Sequence, residues 1–151
     1  MIKVITNGKS QSSKMAIKWL NEHKIEYKEH NIKNEALDRK QLIEILKISD
    51  FGVESILATK SQIYNRYGGL KGFESMSLNG FIEQALTHPL LLSYPIIYCD
   101  NKLQVGYNED EMGKFIPSKE RQKKMKLYIG KNYEHNGGMV GKLHSTSMQL
   151  L

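Results

Sequence analysis

The first 32 residues, MIKVITNGKSQSSKMAIKWLNEHKIEYKEHNI, change hydrophobic period twice, and that change constrains the fold more than any other feature. Met1 to Thr6 is a β-branched run that stops at Asn7-Gly8, which reads as a strand followed by a turn. From Ser12 or Ser13 the apolar residues Met15, Ile17, Trp19 and Leu20 suit a helix with one packed face, a serine N-cap and an end at His23-Lys24. Ile25 to Ile32 then alternates Ile25 and Tyr27 with Glu26 and Lys28, the pattern of a second strand. Two strands joined by a helical crossover favour a parallel βαβ unit, which places the chain in the α/β class.

The middle of the chain reads as helical. Asp38 is the expected cap of RKQLIEILKI, whose broad apolar face is Leu42, Ile43, Ile45 and Leu46, and the polar turn SDFG follows. Helical spacing is expected again in VESILATKSQIYNRY, through Ile56, Leu57, Ile63 and Tyr64, up to Gly68-Gly69; a further helix in SLNGFIEQALTHP ends before Pro89. Strand signals return at Ile96 to Tyr98, with a tight turn at Asp100-Asn101 and a returning strand at Leu103 to Tyr107. Asn108 then caps a helix start at Glu109, Asp110 and Glu111, and Pro117 interrupts it. A parallel opening, a helical insertion and an antiparallel hairpin match a thioredoxin-like mixed sheet. Residues 1–33 and 92–117 would form the thioredoxin-like subdomain, 34–91 the helical insertion, and 118–151 a basic C-terminal helix and flexible tail. In such folds the proline ahead of the third strand is often cis and faces the redox turn, so the Tyr94-Pro95 bond is expected to be cis.

Charge and cysteine content narrow the function classes. Of the net charge of +6, most lies from Ser118 onward, where Lys119, Arg121, Lys123, Lys124, Lys126, Lys131 and Lys142 face only Glu120 and Glu134. Such a tail suits nucleic acid, an acidic protein patch or a protease adaptor, and equally a solvated amphipathic end. No apolar run approaches the roughly 18 residues of a membrane span, and the N-terminus enters a strand pattern directly, so a cytoplasmic protein is expected. The single cysteine, Cys99 in YPIIYC, excludes an internal disulfide and a cysteine zinc site, and is expected to be a buried, inert thiol.

The turn TNGKSQSS holds Ser10 and Ser13 at the spacing of a C-x-x-C redox pair. Serine supplies no thiolate at neutral pH and forms no disulfide, so thiol chemistry is absent there. Serine catalysis would need a positioned base and oxyanion donors, but no G-x-S-x-G is present and His23, His30, His88, His135 and His144 are scattered. Free amides at the helix start can hold an anion, although a serine that merely caps the helix explains the same residues. No phosphate loop, dinucleotide fingerprint, EF-hand or H-E-x-x-H motif occurs, so no metal or cofactor is expected.

The segment HPLLLSYPIIYCDNKLQVGYNEDEMGKFIP resembles the Spx/MgsR branch of the arsenate reductase superfamily, most specifically in VGYNEDE. TNGKS-x2-S, Asn31-Ile32, His88-Pro89 and the pattern Gly52, Ile56, Thr59, Ser61 support the likeness, which covers Ile2 to Pro117. It implies a thioredoxin-like protein of Gram-positive bacteria that binds the C-terminal domain of the RNA polymerase α subunit and redirects transcription under stress. It also implies contact with promoter DNA inside the polymerase complex, and turnover by the ClpXP protease with an adaptor. In that family the C-x-x-C switch occupies the positions of Ser10 and Ser13, so the resemblance implies a regulator without its redox switch. A natural paralogue and a deliberate Cys-to-Ser replacement read alike at those two positions, and the further departures favour the paralogue.

The family resemblance also places Gly52 in the surface that meets α, where a plain helix C-cap is the alternative on sequence alone. Lys47 and Lys60 stand where the family has arginines in that surface, Tyr94 replaces another arginine, and the loop YGGLKGFES is two residues longer. Arsenate reduction needs the nucleophilic cysteine and arginine forks around the oxyanion, which lysine does not reproduce. The expected function is therefore a non-enzymatic regulator controlled by its abundance. The competing classes are an arsenate reductase- or glutaredoxin-like oxidoreductase, and a nucleic-acid-binding module working through the tail.

Overall fold

The computed structural model describes residues 1–120, so the expected C-terminal tail lies outside the described residues from 121 onward. Residues Met1–Phe115 form one compact unit; the second unit, Ile116–Leu151, is described over 116–120 and is helical at 118–120.

The βαβ opening forms as its periodicity predicts. Strand β1 (Ile2–Thr6) leads into helix α1 (Gln11–Glu22) and strand β2 (Tyr27–Asn31), and β1 pairs with β2 in parallel, with Ile2 opposite Tyr27 and Thr6 opposite Asn31. Strand β2 starts later than the alternation at Ile25 suggested. The Ile25 amide is already committed to the Leu20 carbonyl at 3.0 Å and that of Lys24 to Asn21 at 3.1 Å, with Lys24 at φ 53°. Together these close α1 in a Schellman-type end and delay the strand.

Strand β3 (Ile96–Cys99) lies antiparallel to β1 and to strand β4 (Lys102–Val105), giving the sheet order β2-β1-β3-β4. The Tyr94-Pro95 bond ahead of β3 is cis, as expected. Ile5 and Ile96 face a core that also contains Leu42, Ile45, Ile56 and Phe81, while Val4 and Ile97, fully buried as well, alternate to the opposite face. Cys99 departs from expectation: as the last residue of β3 it is half-buried, with its Sγ 3.8 Å from the Asp100 carboxylate.

Between the two halves of the sheet, helix α2 (Arg39–Ile48) starts at Asp38 in a capping box with Gln41. The next apolar stretch is not one helix. A 3-10 turn occupies Gly52–Ser55, and Leu57 forms an isolated antiparallel bridge with Leu92, flanked by Ala58 N–H to the Leu91 carbonyl at 2.8 Å and Ser93 N–H to Ile56 at 2.9 Å. Ile56 and Leu57 are therefore apolar because an extended crossing buries them, which periodicity alone cannot distinguish from a helix.

Helix α3 is short (Gln62–Arg66), and the segment expected to be a loop contains helix α4 (Leu70–Glu74). Phe73 explains α4: it is buried between Tyr64 at 5.8 Å, Tyr67 at 5.3 Å and Phe81 at 6.0 Å, measured between ring centroids. Gly72 permits this approach, since a Cβ there would lie 1.5 Å from the Tyr67 carbonyl oxygen. Helix α5 (Leu78–Thr87) is capped by Ser77 and ends ahead of Pro89. Helix α6 (Glu109–Met112) begins at Asn108, whose Oδ1 accepts the Asp110 and Glu111 amides at 3.0 and 3.3 Å.

Candidate functional site

The turn from β1 into α1 brings Ser10 and Ser13 together, and both hydroxyls are used by the backbone. Ser10, not Ser12 or Ser13, is the N-cap: the helix starts earlier than expected, and Ser10 Oγ accepts the Ser13 amide at 3.2 Å. The buried Ser13 turns its Oγ back to accept the Asn7 amide, also at 3.2 Å. Asn7 completes the knot, its carbonyl accepting the Ser10 amide at 2.8 Å and its side chain the Lys9 amide at 3.3 Å. The turn that would carry a redox pair is thus held by oxygen acceptors. Ser10→Ala is expected to lower stability by about 1 kcal/mol through loss of the cap, read from the urea midpoint, with no change in secondary structure.

Among the described residues no histidine hydrogen-bonds to either hydroxyl. His30 Nε2 donates to the Glu35 carbonyl at 2.9 Å, which leaves Nδ1 to accept from Gln41 at 2.9 Å. His23 Nδ1 lies 2.8 Å from the Trp19 carbonyl and its ring stacks on Trp19 at 3.9 Å. Tyr94, just ahead of the cis proline, is buried and donates its hydroxyl to the Pro89 carbonyl at 2.6 Å. Burial pushes its phenol far above the ordinary tyrosine range, so it stays neutral. No group of three His, Cys, Asp or Glu side chains converges among the described residues, and no helix there is long and apolar enough to cross a membrane.

The second cluster lies at the C-terminal end of α2. Lys47 is exposed in the last helical turn, and Gly52, at φ +62°, opens the 3-10 turn. A Cβ at Gly52 would meet nothing within 4 Å, so the backbone conformation and not packing calls for glycine, and the space in front of it is open. The Phe51 amide donates to Ser55 Oγ at 3.1 Å and Ser49 Oγ to the Leu46 carbonyl at 2.8 Å, which fixes the turn. Lys60 is also exposed but belongs to another turn, just before Ser61, the cap of α3.

Sequence reasoning overlooked Phe51, whose side chain is 77% exposed in the middle of this polar turn. It borders an open groove of about 480 Å³ with Ile48, Asp50, Leu103, Val105 and Lys114. An aromatic residue inside the polar turn SDFG is equally consistent with a ring folded into the core, so the sequence alone does not single it out.

A parallel βαβ unit, an antiparallel hairpin and a helical insertion define a thioredoxin-like α/β protein whose turn from β1 into α1 carries no sulfur. The ArsC family profile matches residues 6–115. "Global transcriptional regulator Spx" of Bacillus subtilis is 36% identical over 121 residues, covering 80% of this chain and 91% of that protein. The Streptococcus pneumoniae protein of the same name is 33% identical over 126 residues, covering 83% and 93%. The chain belongs to the ArsC family, in its Spx branch. Among solved structures, a putative ArsC family related protein from Bacteroides fragilis superposes with a TM-score of 0.66 at 20% identity, over 76% of this chain and 96% of that one. A possible arsenate reductase from Streptococcus mutans gives 0.62 at 19% identity, over 72% and 92%. At those identities the two structures speak for the fold.

Proposed function

We propose that this protein is a transcriptional regulator of the Spx type that works by binding the C-terminal domain of the RNA polymerase α subunit, without catalysis and without a thiol switch. The observation that carries the reading is 36% identity along 80% of the chain to proteins named as global transcriptional regulators. The sulfur-free turn sets its character. Ser10 and Ser13 carry no thiol, so no disulfide forms or is reduced at this turn, and control passes to the amount of protein.

Lys47, Gly52 and Lys60 are the residues proposed to meet α, and the positive φ and open front of Gly52 favour the close approach of a partner backbone. The basic residues beyond Ser118 suit promoter DNA within the polymerase complex, or recognition by a ClpXP adaptor, and the whole reading is cytoplasmic.

Calorimetry with the isolated α C-terminal domain tests this. Micromolar or tighter binding is expected, with the same affinity in the presence and absence of dithiothreitol. No binding by the unchanged protein refutes the reading. An oxidoreductase would instead show thiol-dependent arsenate turnover, and none above the uncatalysed rate is expected, because the nucleophile position holds Ser10.

A further inference from the structure

We infer that Phe51 is the apolar anchor of the surface that docks the polymerase α C-terminal domain, and that it sets this chain's preference for an apolar side chain flanked by a carboxylate on the partner. The inference rests on the reading of Gly52 given above and adds a contact residue to it. A phenylalanine left 77% exposed is out of keeping with the rest of the unit Met1–Phe115, where Phe73, Phe81 and Phe115 are each at most 8% exposed. It is also preorganised, because the Phe51 amide is held by Ser55 Oγ at 3.1 Å and the next residue is the open Gly52. An aromatic side chain carried on a fixed backbone is a residue type that contributes strongly to interface energetics when a partner covers it.

Phe51 borders the groove of about 480 Å³ beside edge strand β4, where Ile48, Leu103 and Val105 lie among a larger number of polar side chains. Added-strand pairing is the wrong mode there, since Lys114 Nζ already donates to the Leu103 carbonyl at 3.3 Å and to Gln104 Oε1 at 2.9 Å, blunting the edge. The groove therefore accepts side chains. Two lysines line it, Lys102 and Lys114, against the single acid Asp50. Lys114 has Glu111 at 3.5 Å, and Lys102 has no carboxylate partner among the described residues. An exposed phenylalanine ring beside Lys102, which has no carboxylate partner among the described residues, fits a partner surface in which a carboxylate flanks the apolar side chain that covers the ring.

The test is calorimetry of the full chain with the isolated α C-terminal domain, for the unchanged protein, Phe51→Ala, Phe51→Leu and Lys102→Glu. Phe51→Ala should weaken binding by about ten- to a hundredfold, Phe51→Leu should recover much of the loss, and the thermal midpoint of the free protein should not move. Lys102→Glu should weaken binding more at low salt than at high salt. If the unchanged protein binds and Phe51→Ala binds within threefold of it, this inference is overturned and the role of Gly52 stands. If the unchanged protein fails to bind, both fall together.

Discussion

Gly52→Arg is expected to reduce binding to the α C-terminal domain by more than a hundredfold, while the variant still folds. The two effects have separate origins. The residue sits at φ +62°, where a side chain costs on the order of 1 kcal/mol or somewhat more, so a lower thermal midpoint is expected whatever replaces glycine. Among the described residues, no atom beyond Gly52 and its two chain neighbours lies within 4 Å of the position a Cβ would take, so an arginine there starts into open space, the space a partner would enter. Gly52→Ala separates the terms, because it bears the same backbone strain with little bulk. Thermal melts should place the two variants together, while calorimetry should separate them by at least tenfold in affinity. Equal binding by the Ala and Arg variants would make the glycine a purely conformational requirement; wild-type affinity in the Arg variant would remove Gly52 from the interface altogether.

Local chemistry was legible in the sequence to the extent that it was decided locally. Asp38 and Asn108 each cap the helix they were expected to cap, because a cap is a contact between a side chain and an amide two or three residues away. The parallel pairing of β1 with β2 followed from the βαβ opening and the β3–β4 hairpin from the two-residue turn at Asp100-Asn101, while the antiparallel pairing of β3 with β1 did not.

What escaped was decided at a distance. Three serines in one turn offer the same cap chemistry, and Ser10 takes the role because Ser13 is turned inward to the Asn7 amide. Helix α4 exists because Phe73 finds Tyr64, Tyr67 and Phe81, and Leu57 is extended because Leu92 pairs with it. In the candidate interface, Gly52 was readable as an unusual backbone position. Phe51 was not, because only packing reveals that an aromatic residue has nothing to cover it.

Two substitutions of the same kind bring out that last point. Phe81→Ala is expected to cost about 3–5 kcal/mol, since a ring only 2% exposed is removed from contact with Phe73 and a cavity remains. Against the 5–15 kcal/mol typical of a whole domain, this is the largest stability loss predicted here, and a urea titration should show a much lower midpoint at an unchanged slope. The effect should reach the interface indirectly. Helix α5, which carries Phe81, packs against α2, and the fully buried Leu42 and Ile45 of α2, with Ile56 after the 3-10 turn, hold the Gly52 turn to the same core. Binding by Phe81→Ala should therefore fall only in proportion to the unfolded fraction and return to wild-type affinity wherever folding is restored, for instance on moderate cooling. Phe51→Ala should do the reverse, changing affinity and leaving the urea curve alone. If Phe81→Ala costs less than about 1 kcal/mol, the aromatic cluster does not support the helical segment as its geometry indicates.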